Sequence, residues 1–161
     1  MNPDSSHMFY YMYTLKNLDI DAFDTSKVEN MSYMFGYCYA INNLDFSNWN
    51  VENVESMDYM FYYAYGIKDL DLSTWKTNSL QNTSYMFNYA QSLKNLNLSG
   101  WKTENISNMS NMFNNCTTLE ILNLNGWSFL NYPSIAYFFE GLNSLKFLSM
   151  RDWKIPTQLY N

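Results

Sequence analysis

The chain has 161 residues, of which 47% are hydrophobic and 19% aromatic, and its net charge is −6. That composition supports one folded core and excludes intrinsic disorder. Fifteen acidic against nine basic residues exclude the basic stripe of a nucleic-acid binder, and no apolar run reaches the roughly 18 residues a membrane helix needs.

Residues 1–7, MNPDSSH, are read as a tag or poorly ordered leader, since SSHM resembles a vector remnant. They show no secretory signal pattern. Residues 8–161 are read as a single repeat domain. Its first mark is Met8-Phe9, which recurs at Met34-Phe35, Met60-Phe61, Met86-Phe87 and Met112-Phe113, with the variant Phe138-Phe139. The numbering shows one constant 26-residue step. The same step separates Phe23, Trp49, Trp75, Trp101, Trp127 and Trp153. It also separates the aliphatic triplets that run from Leu15/Leu18/Ile20 to Leu145/Leu148/Met150. A fixed period in this range marks a repeat architecture.

Within the second unit, Ser26-Lys-Val-Glu29 fits a capping box. The apolar residues Val28, Met31, Met34, Phe35 and Cys38 are spaced by three and four, which predicts a short helix over NMSYMFGYC. In the stretch from Ile41 to Ser47, Leu44 and Phe46 alternate with Asp45 and Ser47, which predicts a strand. Later units repeat this plan. Asn131-Tyr-Pro133 fits another helix start, and the drift over Phe138–Leu142 reads as a C-terminal cap. One strand and one helix cannot bury their apolar faces alone, so copies must stack. The expected fold is an α/β solenoid of about six 26-residue repeats, with a parallel β-sheet on one side and short helices on the other.

The strand triplet resembles a leucine-rich repeat. The fuller pattern, L44-D-F-S-N-W49 followed by V54-E-S-M-D-Y-M-F61 and a Tyr/Ala/Cys tail, resembles the BspA-like leucine-rich-repeat surface proteins of bacteria and their mycoplasma lipoprotein relatives. The likeness covers about residues 8–153. It implies a non-catalytic protein of the bacterial cell surface that binds host or neighbouring-cell molecules. Phe23 in place of Trp and the drift in the last unit depart from the pattern.

Cys38 and Cys116 share one column three units apart, too far for a disulfide. They are expected as free, buried thiols. The chain has no CxxC, and its single histidine is His7. No cofactor and no definite metal-ligand set is identified. The Trp and Met columns are expected in the core. Asp19, Asp45 and Asp71 share a strand column, with Asp21 beside it and Asp69 two residues before Asp71. Carboxylates stacked at about 4.8 Å should raise one another's pKa. These five residues are a candidate acidic site for a weak divalent cation or a basic ligand; the alternative is that they hydrogen-bond neighbours along the ladder. Residues 1–71 carry eleven acidic and three basic side chains (−8), and residues 72–161 carry four and six (+2).

Tyr33/Tyr37, Tyr59/Tyr63 and Tyr85/Tyr89 form a second candidate surface. Tyrosine joins a rigid ring to one hydroxyl, a combination enriched where proteins bind. The competing expectation is that neighbouring units stack these rings and hide them. Three function classes follow. The first is a surface-displayed adhesion module that binds host or neighbouring-cell protein or glycan, without membrane insertion by this segment. The second is a spacer or self-assembling array, with end-to-end association of copies. A remote third is a glycoside hydrolase, from carboxylates near the separation of retaining enzymes.

Overall fold

The computed structural model describes residues 1–156; residues 157–161 of the expected 8–161 domain lie outside them. Each unit pairs side by side with the next copy along the chain. Four short strands, β1 (Asp69–Asp71), β2 (Asn95–Asn97), β3 (Ile121–Asn123) and β4 (Phe147–Ser149), form a parallel sheet in chain order. The register is Leu70↔Leu96↔Leu122↔Leu148. In β1 to β3 the central leucine is buried and the first residue is exposed. The strand triplet of the first two units joins only through the parallel bridge Asn17↔Asn43. A second parallel ladder runs Asp4, Asn30, Ser56, Asn82, Asn108, Ser134. Residues 4–7 take part in it: the Ser5 and His7 N–H groups donate to the Asn30 and Ser32 carbonyls, both at 3.0 Å.

The expected helices do not form, and the solenoid with helices on one side is corrected on that ground. The described residues contain no helix, and the only sheet is the small four-stranded one. In NMSYMFGYC the N–H groups of Met31, Tyr33, Phe35 and Tyr37 donate to Ser56, Asp58, Met60 and Tyr62 of the next unit, at 2.9, 2.9, 2.9 and 2.7 Å. The intervening N–H groups of Met34, Gly36 and Cys38 donate three residues back, to Met31, Tyr33 and Phe35. Alternate donors thus build a parallel ladder while the others close tight turns. The backbone turns left-handed at Tyr33 and Tyr37, with φ of 58° at both. This coil returns Met31, Met34, Phe35 and Cys38 to one buried side, so the spacing of three and four is satisfied without a helix. A helix would leave its first four N–H groups and last four carbonyls unpaired, a heavy cost for so short a segment. The capping box is absent too: the Ser26 N–H and hydroxyl both donate to Asp24 Oδ1, at 3.0 and 2.6 Å. No helix starts at Asn131-Tyr-Pro133.

The core is a set of columns along the stack. Phe35, Phe61, Phe87 and Phe113 are buried and stack at centroid distances of 5.7, 5.4 and 5.9 Å. Trp75, Trp101, Trp127 and Trp153 follow at 6.1, 6.3 and 5.7 Å. Burying each such side chain contributes about 1.5–3 kcal/mol. The indole N–H groups of Trp101 and Trp127 reach back to the Leu72 and Leu98 carbonyls of the preceding unit, both at 2.9 Å. Trp75 Nε1 is buried without a partner. Trp75→Phe therefore costs about 1–2 kcal/mol less than Trp101→Phe, a difference that urea denaturation of the two variants measures; equal costs would show that the Trp101 hydrogen bond contributes nothing net. Cys38 and Cys116 are free and buried. Each thiol donates to a carbonyl of the preceding unit, of Phe9 and Phe87, at 3.0 Å. Burial pushes their pKa values up to about 11 and about 12, which keeps both as inert thiols.

Candidate functional site

The turn coil brings the six predicted tyrosines onto one surface. Tyr33, Tyr59 and Tyr85 stack at 4.4 and 4.5 Å with planes within 5°. Tyr37, Tyr63 and Tyr89 stack at 5.2 and 4.7 Å. All six are half-buried: neighbouring rings stack on one another, and each tyrosine keeps part of its surface accessible. Offset-stacked pairs contribute about 0.5–1.5 kcal/mol beyond burial. All six also sit in the left-handed region, with φ between 55° and 58°. That conformation costs about 1–2 kcal/mol for a residue with a Cβ. In the fifth unit the same positions are Asn111 and Asn115, with φ of 59° at both.

Sequence reasoning missed several members of this face. His7 stacks on Tyr33 at 4.8 Å and Tyr11 on Tyr37 at 4.5 Å. Tyr62 lies edge-on to Tyr37, Tyr59 and Tyr63, at 5.2, 5.2 and 4.6 Å. Tyr10 does the same against Tyr33 and Tyr37, at 5.5 and 5.7 Å. Stepping back one repeat from Tyr33 and Tyr37 would have found His7 and Tyr11. Tyr10 and Tyr62 share a column with Gly36, where an added Cβ would lie only 3.1 Å from the Tyr10 ring. Burial raises the phenol pKa of Tyr10, Tyr33, Tyr37, Tyr39, Tyr62 and Tyr65, and that of Tyr59 to about 12. These hydroxyls are neutral at physiological pH and both donate and accept hydrogen bonds.

The acidic residues are exposed and do other work. Asp19, Asp45 and Asp71 each accept a backbone N–H two residues on, from Asp21, Ser47 and Ser73, at 3.1, 2.9 and 2.9 Å. This is the local turn chemistry for which Asp and Asn are favoured. Asn97 and Asn123 make the same contact in later units, at 3.1 and 3.2 Å. Asp69 differs: its carboxylate accepts the Asn95 side-chain amide along the ladder. The expected rise in pKa does not occur at the shifted groups. The Ser47 N–H holds the Asp45 carboxyl below the usual carboxylate range. At Asp71 burial pushes upward, but hydrogen bonds from Ser73 and Asn97 outweigh it, and the pKa is lowered. Asp69 and Asp71 border a shallow hollow of 510 Å³ over β1 to β3, beside Asn95 and Asn97. No group of three or more His, Cys, Asp or Glu among the described residues could hold a metal ion.

A 26-residue unit whose copies pair in register through two parallel ladders defines a tandem-repeat protein. The chain belongs to the family described as Mycoplasma protein of unknown function, DUF285, which matches residues 3–95 and, in a second match, residues 66–158. No curated protein matches the chain, and no solved structure does.

Proposed function

We propose that this chain is a non-catalytic binding module, displayed on the bacterial cell surface, whose tyrosine face contacts a protein or glycan of a host or neighbouring cell. The observation that carries this reading is the backbone at the six tyrosines. Each is held left-handed, although Asn, which tolerates that conformation better, occupies the same positions in the fifth unit. Strain retained where a gentler residue fits is a mark of function. Stacking also fixes the rings before a partner arrives, which lowers the ordering cost of binding. The resemblance to BspA-like leucine-rich-repeat surface proteins supports the surface location and the class of partner. The exposed carboxylates of Asp19, Asp21, Asp45, Asp69 and Asp71 are a second contact region on this reading, suited to basic groups.

The test is a screen of the chain against mucins, matrix proteins and glycans, repeated with the double variant Tyr37→Asn/Tyr63→Asn. Asn at these positions keeps the backbone, so circular dichroism should not change. Loss of two aromatic anchors is expected to weaken binding by about 30-fold or more. Unchanged affinity in the folded variant would sink the tyrosine face as the site. A calcium requirement, with loss of binding in Asp45→Asn/Asp71→Asn, would move the site to the acidic residues.

A further inference from the structure

We propose that Tyr59 is a site of oxidative cross-linking, joined by a carbon–carbon bond to Tyr33 or Tyr85 when a haem peroxidase and hydrogen peroxide act on the tyrosine face. The bond ties one repeat covalently to the next. All three residues lie in interior units of the stack, and the chemistry needs no bound partner. Three observations carry it: which oxidisable groups are accessible, how the rings are placed, and which charge lies beside them.

Across residues 30–105 every methionine, tryptophan and cysteine is buried, and this stretch has no histidine. Sulfur oxidation follows exposure and thiolate character. The Cys38 thiol has neither, since burial pushes its pKa up to about 11. Tyr33, Tyr59 and Tyr85 are half-buried and keep accessible surface. In these units an oxidant from solution therefore meets phenols first.

Phenoxyl radicals couple at the ring carbons ortho to oxygen, and the new bond forms along the π-orbital axis, perpendicular to both rings. Rings stacked face to face already aim those orbitals at each other. Tyr59 lies 4.4 Å from Tyr33 with planes 4° apart, and 4.5 Å from Tyr85 with planes 5° apart. In the second row Tyr63 is farther from its neighbours Tyr37 and Tyr89, at 5.2 and 4.7 Å, and tilted by 10° and 9°. The backbone holds the closer row in place: the N–H groups of Tyr33, Tyr59 and Tyr85 donate to the Asp58, Ser84 and Ser110 carbonyls at 2.9, 3.0 and 3.0 Å. Partners held in a reactive geometry couple faster than partners that must meet.

Asp58 supplies the charge. Its carboxylate accepts the Ser32 and Ser56 hydroxyls. Burial raises the phenol pKa of Tyr33 and Tyr59, and the Asp58 charge adds to the rise at both. The phenols are therefore neutral, and each loses an electron together with its proton. The same carboxylate favours an electron-poor ring beside it, which directs oxidation to this pair. The balance is closed. Two phenols give up two electrons and two protons, and one hydrogen peroxide takes them up and leaves as two waters. The radicals then join through one ortho carbon each, and the hydrogen on each of those carbons moves through solvent to the oxygen. Both rings become aromatic again, with both hydroxyls restored.

The test treats the dilute chain with a haem peroxidase and limiting hydrogen peroxide, then isolates the single-chain fraction. Its intact mass should fall by two hydrogens, and it should gain the fluorescence of a biphenol. Digestion and mass spectrometry should show Tyr59 joined to Tyr33 or Tyr85. A link across one repeat restricts the unfolded chain much as a disulfide does, so the melting temperature should rise by about 5 °C or more. Tyr59→Phe keeps the ring and the stack, and is expected to lose the link; Tyr63→Phe should retain it. Linkage between chains only overturns the proposal. So does gain of oxygen without loss of hydrogen, a link within the chain that bypasses Tyr59, or an unchanged link yield in Tyr59→Phe. The mapping on the unaltered chain decides the question even if a variant misfolds.

Discussion

Replacing Phe87 by alanine lowers the unfolding free energy by about 4 kcal/mol, among the largest single effects open to a side-chain truncation here. The ring is fully buried and lies between Phe61 and Phe113, at 5.4 and 5.9 Å. A cavity at that point has little means of collapse. The neighbouring rings are held by backbone bonds from unit to unit, Phe61 N–H to the Met86 carbonyl at 2.8 Å and Phe87 N–H to the Met112 carbonyl at 2.9 Å. The lost transfer energy and the cavity term therefore add. Urea denaturation measures the change through the midpoint, with the slope retained if unfolding stays two-state. A loss below about 1 kcal/mol would show that the column relaxes freely along the stack.

Gly66→Ala is expected to cost about 3 kcal/mol or more. An added Cβ would lie 2.1 Å from the Ile41 carbonyl oxygen, 2.7 Å from its carbon and 3.0 Å from the Ala40 carbonyl carbon. These are backbone atoms of the preceding unit, so relief requires two units to move apart and weakens the hydrogen bonds between them. Ala40 and Ser92 occupy the same repeat position with side chains, which makes the close approach local to Gly66. Gly100→Asn is the control. Gly100 has φ of +78° and open space for a Cβ, with only the Ser73 carbonyl oxygen near, at 3.9 Å. Asp152, in the same column, has φ of 61°, so Asn there should cost under about 1 kcal/mol. Thermal unfolding separates the two variants. Equal melting temperatures would mean that the Ile41 segment yields easily.

Much of the candidate site was legible as letters and not as geometry. Tyr33, Tyr37 and their copies were visible as columns. That their faces would stack on one another and leave the rings half-buried depends on ring separations of 4.4 and 5.2 Å between units, which no single unit encodes. The Asp columns were equally visible. Their carboxylates were expected to strain against each other, but local N–H donors at Ser47 and Ser73 reach Asp45 and Asp71 first and lower their pKa.

By itself the sequence determined the 26-residue period and most of the side chains that form the core. Identical units stacked in register place each residue on its own copy, so the letters alone select what is buried. Only the tertiary structure decided what NMSYMFGYC becomes. Spacings of three and four suit a helix or a coil of tight turns equally well. The choice rests on where the N–H groups of Met31, Tyr33, Phe35 and Tyr37 find acceptors, and those acceptors belong to the neighbouring unit.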